Sequence, residues 1–250
     1  MESNGEMISF GAGVNSIAMT IMLVEQGWRG PIVFSDTGGE WPETYCYIET
    51  FERTWLQPRG LSITRLSPKT HPELYDTTRL GGLEDTLEKY CLVKGVVPFL
   101  AARWCTVQFK GTPLDAWREE QGIGKTCIGI SASEPARVKS YTNTRYPLVE
   151  SGITRNECRR IIAKAGLDQP IKSGCFFCPG QNLSNWRQLY YEHPDLYERA
   201  AILEDNASEK RERRITLDTR DISLREHAKR RWQGQMTMDL SEWIPCLCKL

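Results

Sequence analysis

The chain has 250 residues, enough for one full core, and its 40% hydrophobic and 26% charged residues exclude wholesale disorder and fibrous classes. A formal net charge of zero excludes a global field that would steer the protein to nucleic acid or an anionic membrane, so any such partner must be met by a local patch. The opening Met1-Glu-Ser-Asn-Gly-Glu6 lacks the basic and apolar regions of a secretory signal, and no later run reaches the length of a membrane span. A cytoplasmic location without membrane contact is therefore expected.

Short apolar runs alternate with helical stretches from the start. Strands are predicted at Met7 to Phe10, Pro31 to Phe34 and Leu61 to Leu66, with helices at Val14 to Gln26 and Trp41 to Leu56. That βαβαβ rhythm calls for a twisted parallel sheet covered by helices on both faces, an α/β fold. Residues 67–110 read as a mixed insertion carrying Cys91 and Cys105, followed by a helix over Thr112 to Gln121 and a strand over Thr126 to Ile130. Thr154-Arg-Asn-Glu157 matches a capping box and starts an amphipathic helix that runs to Ala165. Ser173 to Pro179 is a loop delivering two cysteines, and helical stretches near Ser184 to Glu192 and Pro194 to Glu204 form a C-terminal appendage. The expected division is a nucleotide-binding domain over 1–180 and a helical region over 181–250. From Glu209 to Arg231 nine Lys/Arg face five Asp/Glu, the pattern of a solvated helix or arm and the one local patch that offers DNA or tRNA a contact.

The first strand runs directly into Ser9-Phe10-Gly11-Ala12-Gly13-Val14-Asn15-Ser16 and then a helix, so backbone amides and a helix N-terminus converge where a phosphate could sit. A glycine-rich turn of this kind also arises for purely steric reasons. Cys175-Phe-Phe-Cys178 is a CxxC, a spacing that lets two thiolates meet one metal, one cluster edge, or each other in a redox couple. Nine cysteines in a reducing compartment are better read as ligands or buried small hydrophobes than as a disulfide framework. Cys46, Cys127 and Cys158 fall on predicted helices and a strand and read as buried. Cys246-Leu-Cys248 reads either as a terminal thiol pair able to carry a persulfide or relay electrons, or as a plain tail. His71, His193 and His227 share no metal spacing and receive no role.

The loop resembles the SxSGGKDS motif of PP-loop adenine-nucleotide α-hydrolases, and Phe34-Ser-Asp-Thr-Gly-Gly-Glu-Trp-Pro-Glu-Thr44 resembles the FxDTGxExPET motif of PAPS reductases. The likeness continues through Lys110-Gly-Thr-Pro-Leu114 and Gly129-Ile-Ser-Ala-Ser-Glu-Pro-Ala-Arg137, covering about residues 7 to 180. It implies a Rossmann-like fold. It also implies nucleotide contacts at Ser9, Phe10, Gly11, Ala12, Gly13, Asn15, Ser16, Ser35, Asp36, Thr37 and Gly129, with Lys110 and Arg137 as the catalytic cations. Gly11, Ala12 and Asn15 stand where the usual pattern has serine, glycine and aspartate, so a role that needs a carboxylate at Asn15 is in doubt. Glu40 and Glu43 read as first-turn charges of the following helix. The order Cys…Cys…Cys-x-x-Cys is similar to a bacterial and phage branch of the family. This implies a four-cysteine site of Cys91, Cys105, Cys175 and Cys178 holding a [4Fe-4S] cluster, with structural zinc or plain thiols as alternatives.

By this resemblance the chain is an enzyme that splits ATP, carried with Mg2+, into AMP and pyrophosphate to adenylate an acceptor. Sulfur transfer to nucleic acid, served by a sulfur-donor protein, is the implied purpose. The competing enzyme reading is a PAPS or adenylylsulfate reductase that releases sulfite, although the tail lacks the Glu-Cys-Gly-x-His pattern of such reductases. A third reading is a nucleotide-binding subunit without catalysis.

Overall fold

A computed structural model of the chain describes residues 5–232, the side chain of Arg231 aside. Five parallel strands, β1 (Glu6–Ser9), β2 (Ile32–Ser35), β3 (Ile63–Leu66), β4 (Lys125–Ile128) and β5 (Thr144–Arg145), form one sheet in the order β3-β2-β1-β4-β5. The order reverses between β1 and β4, where Ser9 pairs with Ile128. Ligands of open parallel sheets bind at such a switch point, beyond the carboxyl ends of the strands.

The central strands β1 and β2 have their side chains drawn into two cores on alternate faces, as the period of two requires. Ile8, Ile32, Phe34 and Ile63 enter one core, while Met7, Val33 and Leu66 enter the other. The first core is closed by α1 (Val14–Glu25) and α2 (Pro42–Phe51). The second is closed by the insertion, which holds α3 (Thr77–Leu80) and α4 (Leu87–Lys94), and by α5 (Trp104–Thr106) and α6 (Thr112–Glu120). A π-helical turn at Val107–Gly111 joins α5 to α6, and another at Glu52–Leu56 extends α2.

After β5 come α7 (Pro147–Glu150) and α8 (Arg155–Lys164), the latter returning to the first core through Cys158 and Ile162. Both halves of the Thr154–Glu157 capping box form. The C-terminal helices α9 (Leu183–Glu192), α10 (Pro194–Lys210) and α11 (Leu224–His227) pack into the second core beside the insertion, through Trp186, Leu189, Ala200, Ala207 and Leu224. Helix α10 runs six residues beyond the predicted Glu204, because Ala207 is buried and the Asn206 amide donates to the Leu92 carbonyl at 2.8 Å. Among the described residues no helix is long and apolar enough to cross a membrane.

Candidate nucleotide and thiol site

The loop after β1 is laced by one hydroxyl. Ser16 Oγ accepts the Gly11 N–H at 3.2 Å and donates to the Gly13 carbonyl at 3.1 Å. Gly13 caps α1 and supplies no side chain to the first amides, so the positive end of the helix stays available to an anion. Ala12 is buried in the left-handed region at φ 54°, a conformation that costs a non-glycine residue about 1–2 kcal/mol. Beyond β4, Gly129 presses against the loop so closely that an added Cβ would lie 2.7 Å from Ser16 Cα. Only glycine fits there.

Asn15 replaces a charge with a two-way amide. Its Nδ2 donates to Glu134 Oε2 at 2.7 Å, and its Oδ1 accepts from Arg155 Nη1 at 3.4 Å. Arg137 donates to Glu134 Oε1 at 2.5 Å. Burial works against the Glu134 charge, but the bonds from Arg137 and Asn15 outweigh it and hold the carboxyl below its usual range. Sequence reasoning missed Glu134, which stands where the loop itself lacks a carboxylate.

At the end of β2, Ser35 Oγ donates to the Phe109 carbonyl in the π-helical turn at 2.9 Å. Asp36 Oδ1 accepts the Gly38 amide at 2.8 Å and the Tyr45 hydroxyl at 2.7 Å, leaving Oδ2 for a ligand. Burial, reinforced by Asp36, pushes the Tyr45 phenol well above its ordinary value, so it stays a donor. Thr37 Oγ1 lies 3.1 Å from Cys175 Sγ. Of the predicted nucleotide residues, those of the first loop and Gly129 meet at the switch point, while Ser35 to Thr37 lie at the end of β2, which pairs with β1 on its other side.

The CxxC loop is pinned to this motif. Glu40 and Cys175 form an antiparallel bridge, Phe176 N–H donates to the Gly39 carbonyl at 2.8 Å, and Phe176 and Phe177 are buried anchors. An added Cβ on Gly39 would meet the Phe177 ring at 2.7 Å. The Gly180 amide donates to Cys178 Sγ at 3.4 Å. Cys91 on α4 and Cys105 on α5 come to the same place, and burial followed by the neighbouring thiols raises both above the ordinary thiol range. Burial also raises Cys175, with Glu40 adding and Lys110 opposing.

Lys110, expected at the phosphates, sits instead among the thiols, with Nζ 2.7 Å from Glu40 Oε1. Burial opposes its charge, but Glu40 and Cys175 outweigh it and the ammonium is held above its ordinary value. Glu40 is no first-turn charge: Trp41 caps α2, and the Glu40 side chain is 1% exposed. Arg137, by contrast, stands at the phosphate loop with Glu134, so the two predicted cations serve different parts of the site.

Four thiols, buried at Cys91 and Cys175 and half-buried at Cys105 and Cys178, have the chemistry of a closed site for either zinc or an iron–sulfur cluster. Among the described residues, the ligand atoms gathered in threes within 4.8 Å are those of Glu43, Glu192 and His193. His193 Nε2 lies 2.6 Å from Glu43 Oε1, a pairing across 150 residues that no sequence pattern announced. Cys127 and Cys158 are buried as expected, Cys46 is half-buried on α2, and Cys246 and Cys248 lie outside the described residues.

Residues 6–102 match the family model of the phosphoadenosine phosphosulfate reductase domain. Over that stretch the chain is similar to this domain. The matched stretch holds the glycine-rich loop, the second motif and Cys91, while Cys105 and the CxxC lie beyond it. A curated relative, the uncharacterized nin region protein ORF290 of Escherichia phage lambda, is 29% identical over 193 residues, which cover 69% of this chain and 64% of the relative. The chain thus aligns with under two thirds of that relative's length. Among solved structures, phosphoadenylyl-sulfate reductase from Candida auris in a phosphate complex is 15% identical, with TM-score 0.46 and coverage of 66% of this chain and 75% of that one. The U34-tRNA thiolase NcsA from Methanococcus maripaludis, with its [4Fe-4S] cluster, is 14% identical, with TM-score 0.44 and coverage of 83% and 72%.

Proposed function

We propose that the protein cleaves ATP to AMP and pyrophosphate, adenylating an oxygen of a nucleic-acid acceptor that a sulfur nucleophile then replaces. The observation that carries this reading is the 3.1 Å approach of Thr37 Oγ1 to Cys175 Sγ, because it joins the nucleotide cradle to the thiol site through one side-chain pair. The acceptor oxygen attacks the α-phosphorus, pyrophosphate leaves, and the incoming sulfur displaces AMP. The amides of residues 11–16 and the α1 N-terminus hold the leaving pyrophosphate, which arrives with Mg2+. Arg137 balances charge at that loop and orients Glu134. Gly129 keeps the wall of the pocket close enough for backbone contact. Lys110 offsets the charge of deprotonated thiols and holds Glu40 against the CxxC loop.

Cys91, Cys105, Cys175 and Cys178 would hold a [4Fe-4S] cluster, which when bound supplies a site where sulfur can be held. A second reading, PAPS or adenylylsulfate reduction with release of sulfite, is favoured by the family of the matched stretch. Iron and acid-labile sulfide are measured on anaerobically purified protein and on Cys91→Ala and Cys175→Ala variants, and ATP and PAPS are then offered separately. Iron with sulfide lost in both variants, and AMP with pyrophosphate from ATP, are the expected results. Sulfite from PAPS selects the second reading, one zinc without sulfide removes the cluster, and nucleotide binding without turnover leaves a binding subunit.

A further inference from the structure

The basic stretch 209–231 is largely spent within the protein. Arg214 pairs with Asp221 and Glu226, Arg220 with Asp218, Arg225 with Glu198 and Asp205, and Arg230 with Glu226. Arg211 donates to the Gly95 carbonyl. Cations neutralised in this way project little field toward a phosphate backbone.

A different surface keeps its charge. Cys158 and Ile162 turn one face of α8 into the core, which leaves Arg159, Arg160 and Lys164 exposed on the other. Among the described residues these three form no ion pair, and neither do exposed Arg155 and Lys139. The acids nearby are occupied: Glu157 by the Thr154 amide and hydroxyl, Glu134 by Asn15 and Arg137. Residues one turn apart, such as Arg160 and Lys164, stand about 5–6 Å from each other at Cβ, a spacing long side chains can match to successive backbone phosphates. The segment between β4 and β5 adds Lys139 and Tyr141, the latter 61% exposed. An exposed aromatic ring offers stacking to a base and unpaired cations offer charge to its phosphates, the combination that holds single strands.

This surface is joined to the phosphate loop. The Ala132 amide donates to the Ile153 carbonyl at 2.8 Å, the Arg155 amide donates to Ser133 Oγ at 3.1 Å, and Arg155 Nη1 reaches Asn15 at 3.4 Å. A strand lying along α8 would pass beside the nucleotide.

We propose that the outward face of α8, with the Lys139–Tyr141 loop, binds an unpaired segment of nucleic acid and presents it to the adenylating site. The proposal rests on the reading of the acceptor as nucleic acid, and binding tests it without turnover. A labelled single-stranded oligonucleotide is titrated by fluorescence anisotropy from about 50 to about 200 mM salt, with wild type, R159Q/R160Q/K164Q, the charge-retaining R159K/R160K, and R213Q/K229Q from the C-terminal stretch. The triple variant should lose roughly 2 from the slope of log affinity against log salt, about 0.7 for each single-strand phosphate released. Tyr141→Ala should weaken binding with the slope unchanged, and R159K/R160K and R213Q/K229Q should bind as wild type. Wild-type binding whose slope survives in the triple variant overturns the surface and leaves the acceptor reading standing. No binding of single strand, tRNA or duplex by wild type overturns both, and a preference for anionic phospholipid vesicles overturns the partner.

Discussion

Lys110 Nζ lies 2.7 Å from Glu40 Oε1, and the other oxygen of Glu40 is buried without a hydrogen-bond partner. The pair therefore joins the second motif to the thiol site at the expense of one unsatisfied acceptor. Lys110→Met would leave a carboxylate that is 1% exposed with no counter-charge; because the Lys110 side chain is itself 35% exposed, the loss should fall short of the roughly 3–5 kcal/mol of a fully buried pair. The double variant Glu40→Gln/Lys110→Met should recover most of that loss. Urea unfolding of the four proteins measures the coupling, and equal losses in the single and double variants would refute it.

The lace of Ser16 against Gly129 predicts a steric lesion. Gly129→Ala would put a methyl group 2.7 Å from Ser16 Cα, so the backbone of the phosphate loop must move. Adenine nucleotide affinity should fall by more than tenfold, the scale of about 1.4 kcal/mol, as read by calorimetry. Gly152→Ala is the control: its φ of 68° carries strain, but nothing crowds the site. Equal nucleotide affinity in both variants would remove Gly129 from the pocket wall.

Asn15→Asp restores the acid of the usual motif and tests why this chain lacks it. The new carboxylate would face Glu134 Oε2 across the present 2.7 Å bond, and two carboxylates so close raise the pKa of the pair in the folded state. A raised folded pKa means that the stability is intact at low pH and is lost as pH rises through it. The variant should melt progressively below wild type as pH rises from about 5 to about 8, and Glu134→Gln in the same chain should abolish the difference. A pH-independent deficit would mean that the amide matters for shape alone.

Much of this architecture was legible in the residues. The βαβαβ rhythm, the glycine-rich turn into α1 and the helix after Thr154 follow from periodicity and local caps, which act over a few residues. Strand β5 is two residues long, too short for any period, and was missed. Ser223 and Glu226 form the same capping box as Thr154 and Glu157, a signal present in the sequence but hidden in the charged stretch. Glu40 read as a helix charge because its burial depends on Cys175, 135 residues on, and the pairing of Lys110 with Glu40 was hidden for the same reason. Long-range pairings of this kind leave no periodic trace.

The charged C-terminal stretch hides a second titrating group. Glu204 is 1% exposed and accepts the amides of Leu217 at 2.6 Å and Leu224 at 2.7 Å, so it ties the segment after α10 to that helix. Burial pushes its carboxyl up to about 7 against an ordinary value of 4.5, although the two amides pull the other way. Between those values the folded protein keeps a proton that the unfolded chain has released, so stability declines as pH rises through the window and is level above it. The shift is worth on the order of 3 kcal/mol. Asp218, also buried, lies in the same segment, where burial works against its charge but Arg220 holds its carboxyl below the ordinary range, so the comparison is made with Glu204→Gln. That variant loses one acceptor and should be less stable at every pH, yet its urea midpoint should change far less between pH 5 and 8 than that of wild type. A wild-type slope that persists undiminished in Glu204→Gln would remove Glu204 as its source.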